Sequence, residues 1–187
     1  MRLIDAHCHF DFPEFDGRRK AVLEDARSSG LSNLVIPGVR RPDWSRVSRI
    51  TSEYDGLYYC LGIHPWYVAE HTADDLYALQ GLLEDRPGHC VALGECGLDR
   101  LHGDMKEQYA WFEGQVDIAA LLHLPLVIHS VKTHDEVYEV LPRKRFSGRG
   151  LVPGFSGRFE LSLIHIVRCR LPLTVRSVWS LCSCSLT

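Results

Sequence analysis

The chain has 187 residues, a formal net charge of −3 and 45% hydrophobic residues, enough for one ordinary domain with a real core. That charge attracts no polyanion globally, so a nucleic acid would have to be held locally, by a metal or a few basic side chains. No apolar run is long enough to span a bilayer, and Asp5, His7 and His9 interrupt any signal-like N-terminal stretch. The seven cysteines (8, 60, 90, 96, 169, 182 and 184) are an odd set without the spacing of a disulfide framework. The expectation is a cytoplasmic protein with reduced thiols and no obligate protein partner.

Short apolar runs at 2–6, 32–37, 57–63, 90–94, 125–128 and 150–152 read as strands. Amphipathic stretches at 18–29, 43–53, 73–85, 105–122 and 134–141 alternate with them and read as helices. Gly30 closes the first helix, as a C-terminal glycine does. Thr72 caps the third, with Asp75 three residues on as a capping-box-like carboxylate. In the fourth, Tyr109, Phe112, Val116, Ala119, Ala120 and Leu122 recur at spacings of three and four, one face of a helix. Strand–helix–strand repetition with continuously apolar strands predicts a parallel α/β sheet covered by helices.

The candidate chemistry lies where strands end. His7 and His9, two apart, would project to one face of the first strand's end, and paired imidazoles there suit a metal ion. His64 closes the third strand, Glu95 follows the fourth and His129 ends the fifth. In a parallel β/α barrel such ends converge on the face where active sites are built; in an open α/β sheet they would spread along a crevice. Buried core histidines are not expected at strand end after strand end. His7, His9, Glu95 and His129 are therefore read as metal ligands, and His64 as a ligand or a group that orients substrate or phosphate. Asp11 and Asp99 lie beside them and are candidates for orienting the ligands. Arg143, Lys144, Arg145 and Arg149 form the one basic cluster, a candidate for contacting a phosphate backbone.

His7-Cys8-His9-Phe10-Asp11, Gly62-Ile63-His64-Pro65, Gly94-Glu95-Cys96-Gly97-Leu98-Asp99, Leu124-Pro125-Leu126-Val127-Ile128-His129-Ser130 and Gly154-Phe155-Ser156-Gly157 occur in an order that resembles the TatD-type metal-dependent DNases. The resemblance covers residues 1 to about 160. It implies a (β/α)8 TIM-barrel-type hydrolase that uses one or two divalent cations (Mg, Mn or Zn) and metal-activated water to cleave DNA phosphodiesters. Carried over by motif, His7 and His9 bind the first metal, Glu95 bridges both as the catalytic carboxylate, and His129 binds the second.

Two departures accompany the resemblance. The family carries a histidine ligand immediately ahead of the glycine of Gly-Phe-Ser-Gly, where this chain has Pro153, and it carries a late aspartate ligand that finds no counterpart here. From Leu161 to Thr187 the chain holds no Asp, Glu, Lys, Gly or Ala, an abrupt change of vocabulary. The expectation is a hydrolase domain over 1–160, an incomplete barrel of five to six β/α units, followed by an aberrant, non-native tail over 161–187. Such a chain is expected to fold poorly and to be impaired. The competing readings are a metal-dependent amide or ester hydrolase, and an inactive remnant that binds metal without turnover.

Overall fold

A computed structural model describes residues 3–85 and 87–153. The Gly154-Phe155-Ser156-Gly157 motif and the proposed tail over 161–187 lie outside the described residues. Six strands, β1 (Leu3–Asp5), β2 (Leu31–Gly38), β3 (Leu57–Leu61), β4 (Cys90–Asp99), β5 (Leu126–Val131) and β6 (Gly150–Leu151), form one sheet in sequence order. Every neighbouring pair is parallel. Each connection carries one α-helix: α1 (Arg19–Ser28), α2 (Arg41–Glu53), α3 (Ala73–Glu84), α4 (Met105–Leu122) and α5 (His134–Arg143). The described residues thus hold five β/α units and a sixth strand of a barrel wall, within the five to six units that the alternation predicts.

Local chemistry sets the helix ends. Gly30 follows α1 at φ +97, a left-handed conformation that glycine takes without steric cost. The Asp75 carboxylate accepts the Thr72 N–H at 3.0 Å, completing the capping box of α3. Asp104 caps α4 by accepting the Glu107 N–H at 3.0 Å. At the other end of α4, His123 adopts φ +55, the place where a glycine is usual.

The period of two divides the strands between faces. Leu34, Ile36, Leu57, Tyr59, Leu61, Leu93, Cys96, Leu98, Leu126 and Ile128 join the main apolar core, together with helix residues such as Trp44, Val47, Leu79, Phe112 and Val116. Each such side chain, fully buried, contributes about 1.5–3 kcal/mol. The opposite face carries a small separate cluster of Cys60, Ala92 and Val127, with Val35 packed against it. Glu95, Asp99 and His129 alternate with core residues in β4 and β5, so they share the face of Ala92 and Val127 and stand at its C-terminal end.

Two features differ from the sequence expectation. β4 continues to Asp99 instead of stopping at Gly94, so Glu95 lies inside a strand. Its pairing with β5 shifts register between Leu93 and Cys96, and Gly94 and Gly97 take φ +146 and +145. Glycine here marks an irregularity that the strand passes through, not its end. Short 3₁₀ turns, Pro13–Phe15 and Pro65–Glu70, also follow the first and third strand ends.

Candidate metal centre

β1 pairing stops at Asp5, but sheet-like bonding continues through Cys8, whose N–H reaches Val35 O at 3.1 Å. The two imidazoles beyond it still stand together: the His7 and His9 rings are 5.2 Å apart, edge to face. His7 Nε2 lies 3.2 Å from Glu95 Oε2, and Phe12 stacks on His9 at 4.8 Å.

The segment beyond β3 is fastened at each residue. Gly62 N–H reaches Gly38 O at 3.0 Å, and His64 N–H reaches Val39 O at 2.8 Å. The Trp44 indole donates to Gly62 O at 3.0 Å. Gln115 of α4 accepts the Ile63 N–H at 2.8 Å and donates to Ile63 O at 3.0 Å. Seven residues earlier on the same helix face, Gln108 accepts the Asp99 N–H at 2.7 Å and donates to Asp99 O at 3.1 Å and to His102 O. Both glutamines are buried. Each satisfies an N–H and a C=O of a residue at the site, groups that would be costly to bury unpaired.

Two glycines let β4 and β5 converge. A Cβ on Gly94 would collide with the Val127 backbone, and one on Gly97 with the His129 backbone. The close approach brings His129 Nδ1 to 3.0 Å from Glu95 Oε1, while His129 Nε2 lies 3.0 Å from Asp99 Oδ2. Asp99 Oδ2 also accepts the Trp66 indole N–H at 2.6 Å and faces His102 Nδ1 at 3.2 Å. His64 Nε2 stands 3.8 Å from Glu95 Oε1.

Burial pushes the Glu95 carboxyl up, but hydrogen bonds from His129 and His7 and the nearby His64 outweigh it and hold the group well below the usual carboxylate range. Burial likewise raises Asp99, and its bonds from Trp66, His129, Leu101 and His102 bring it down to about 2. His64 is lowered to about 3, chiefly by burial, and burial and His7 lower His9. For His129 burial lowers the pKa, yet the bonds to Glu95 and Asp99 raise it overall. The centre thus combines ionised carboxylates with two imidazoles, His9 and His64, biased to the neutral form that coordinates metals.

The donor atoms fall into two groups, His7–His9–Glu95 and His64–Glu95–His129, each with its potential ligand atoms within 4.8 Å of one another. Glu95 belongs to both. Imidazole with carboxylate is a donor set suited to Zn or another divalent transition metal. The buried Nδ1 atoms of His7 and His9 have no hydrogen-bond partner among the described residues. Orphaned imidazole nitrogens beside a buried carboxylate are what a cation would satisfy, so the residues fit one or two divalent ions.

The sequence-predicted residues therefore separate. His7, His9, His64, Glu95 and His129 converge, and Asp99 orients His129. Asp11 does not bond a histidine: its Oδ2 accepts from Arg46 at 2.7 Å, and its buried Oδ1 has no partner among the described residues. Arg46 and Arg40 in turn pair with Asp43 at 3.2 and 2.8 Å. The predicted basic cluster lies at the other end of the sheet. Arg149 O accepts the N–H of Leu126, the first residue of β5, and Arg143 and Lys144 pair with Glu113 and Asp117 on α4. It cannot serve a phosphate held at His129. Sequence reasoning missed Gln108, Gln115 and Trp44; the available signal was two amides seven residues apart in the apolar stripe of α4.

A family profile described as "TatD related DNase" matches residues 4–166. The chain is 38% identical over 161 residues to the uncharacterized metal-dependent hydrolase YjjV of Escherichia coli, covering 85% of this chain and 62% of that protein. It is 30% identical over 146 residues to the 3'-5' ssDNA/RNA exonuclease TatD of Klebsiella pneumoniae, covering 74% of this chain and 53% of that protein. Superposition on the crystal structure of E. coli YjjV gives a TM-score of 0.82 at 37% identity, over 89% of this chain and 65% of that one. The chain spans less than two thirds of the length of these relatives.

Proposed function

The chain belongs to the TatD-related DNase family, and from that premise we propose that it is a divalent-metal-dependent hydrolase of DNA phosphodiester bonds. One observation carries the reading: Glu95 is shared by two histidine groups on one face of the sheet. Glu95 would serve both groups, and bound cations would supply an acidified water and offset negative charge on a phosphate. His7, His9 and Glu95 would hold one ion, and Glu95 with His129 the other; His64, whose Nδ1 accepts the Trp66 N–H, keeps its proton on Nε2 and would donate it to a phosphate oxygen.

The remaining residues position these donors. Asp99 accepts from His129 Nε2 and so leaves Nδ1 directed at Glu95, which fixes the tautomer a ligand needs. Gln115 and Gln108 hold the backbones of Ile63, next to His64, and of Asp99. Cys60, Ala92 and Val127 are buried together on the same face, and electrostatic interactions beside such apolar groups act in a lower dielectric than in water. A chain of net charge −3 can meet a phosphodiester through this centre without a basic surface.

Cleavage of single-strand and duplex DNA in the presence of Mg²⁺, Mn²⁺ or Zn²⁺, beside a Glu95→Ala control, tests the reading. Metal-dependent cleavage that the control abolishes is the expected result. Turnover of carboxylic esters or amides without DNA cleavage would replace the substrate class. Metal binding with no turnover of either would identify a binding remnant, a result that the non-ligating Pro153 would make intelligible.

A further inference from the structure

Trp66 is a large apolar side chain with half its surface open, at 50% relative exposure, yet it is held more tightly than a loop residue at a rim. Its indole N–H donates to Asp99 Oδ2 at 2.6 Å, and its backbone N–H donates to His64 Nδ1 at 3.2 Å. The ring stands edge to face with His64 at 5.1 Å and with His129 at 6.1 Å, and the His102 ring lies against it at 4.4 Å, tilted by 35°, so a partner would stack on the surface that His102 leaves open. An exposed aromatic fixed at both backbone and side chain, beside two histidines of the centre, is pre-organised to receive a flat partner. On the other half of the centre, Phe12 is also open, at 40% exposure, and stacks on His9.

We propose that the Trp66 indole is a stacking platform for a nucleobase of single-stranded DNA whose phosphate occupies the Glu95 centre; the proposal rests on the nuclease reading above. Charge supports that occupant. The chain is net negative, and the basic cluster around Arg143 lies at the opposite end of the sheet, where Arg143 and Lys144 pair with Glu113 and Asp117. Affinity beyond the phosphate therefore needs a source other than that cluster. Stacking supplies one, because every base has a π-face, and an open single strand offers bases that a duplex keeps stacked on each other. The platform would favour single strands over duplex and would be tolerant of sequence.

The test compares binding of fluorescently labelled (dT)10 with an abasic tetrahydrofuran oligomer of the same length, by anisotropy, using the full chain loaded with its divalent ion and strands with phosphorothioate linkages that resist cleavage. The abasic strand is expected to bind roughly 5- to 150-fold more weakly, the range for loss of one stacked base. Trp66→Leu should weaken (dT)10 by a similar factor and bring the two strands together, while Trp66→Phe should retain part of the difference. Quenching of tryptophan fluorescence by (dT)10 should be smaller in Trp66→Phe than in the parent chain. Equal binding of the two strands by the parent chain, or a ratio unchanged in a folded Trp66→Leu, would overturn the platform. Metal-dependent cleavage alongside equal binding would leave the nuclease reading standing. Base-dependent binding without cleavage under any metal would keep the platform and remove the nuclease.

Discussion

The two halves of the centre are built differently. His64 and His129 sit where the protein has spent hydrogen bonds: Gln115 on Ile63, Trp44 on Gly62, Gln108 and three ring donors on Asp99. Both nitrogens of His129 have carboxylate partners. His7 and His9 follow a three-residue strand, and the Nδ1 of each is buried without a partner among the described residues. One half is held by hydrogen bonds within the fold; the other leaves imidazole nitrogens for which the described residues offer no partner. Among the described residues Glu95 alone belongs to both, one oxygen toward His7 and the other toward His129.

Substitution can break that contrast. The largest effect is expected for Glu95→Gln, which removes the shared charge: phosphodiester cleavage should fall at least about a thousandfold, and atomic absorption should find metal lost from both halves. Retention of one full equivalent per chain would show that the halves are independent. Next, Gln115→Leu leaves the buried Ile63 N–H and C=O unpaired and should cost about 1–3 kcal/mol per group in urea unfolding. His9→Leu, on the other half, should leave metal-free stability nearly unchanged. Equal losses would mean that the histidine-rich loop is as pre-set as the clamped segment.

Asp99→Asn sharpens the comparison further, since it should weaken metal binding at the His129 half roughly 10- to 100-fold. Titration calorimetry would then resolve one weakened site and one unchanged. The smallest effect is expected outside both halves. Asp75, beside Arg41 and the Thr72 N–H, is lowered from 3.8 to about 2. A depressed carboxylate stabilises above its unfolded value, and that stability is lost as pH falls through the folded value. Asp75→Asn should therefore lower the melting temperature slightly at pH 7 and flatten its decline between about pH 4 and 2. The partner Arg41 is half exposed, which keeps the effect below about 1 kcal/mol.

Much of this was legible in the residues. Apolar runs and helix periodicity place all six strands and five helices within a few residues, because parallel strands buried on both faces must be apolar throughout. Four of the convergent side chains, His7, His9, Glu95 and His129, are chemically conspicuous at strand ends. The glycines misled at β4: Gly94 resembles a terminus in sequence, and only the packing of Val127 and His129 against it shows that the strand runs on. Asp11 looked like a partner for the adjacent histidines, but its carboxylate meets Arg46, 35 residues away. Gln108 and Gln115 do not stand out in the sequence because their partners, Asp99 and Ile63, are reached only across the helix–sheet interface. Such long-range backbone bonds leave no local periodicity to detect.

Gly94 and Gly97 carry a consequence for anyone who would retune this centre to a different ion. The separation between the Glu95 and His129 donors is fixed by side chains that are missing, because two bare Cα atoms let neighbouring strands draw together. Exchanging ligands would change the chemistry of the donors but not their span. Widening the span means adding bulk between β4 and β5, and the spacing between those strands would move as one piece, carrying Asp99 and Trp66 with it.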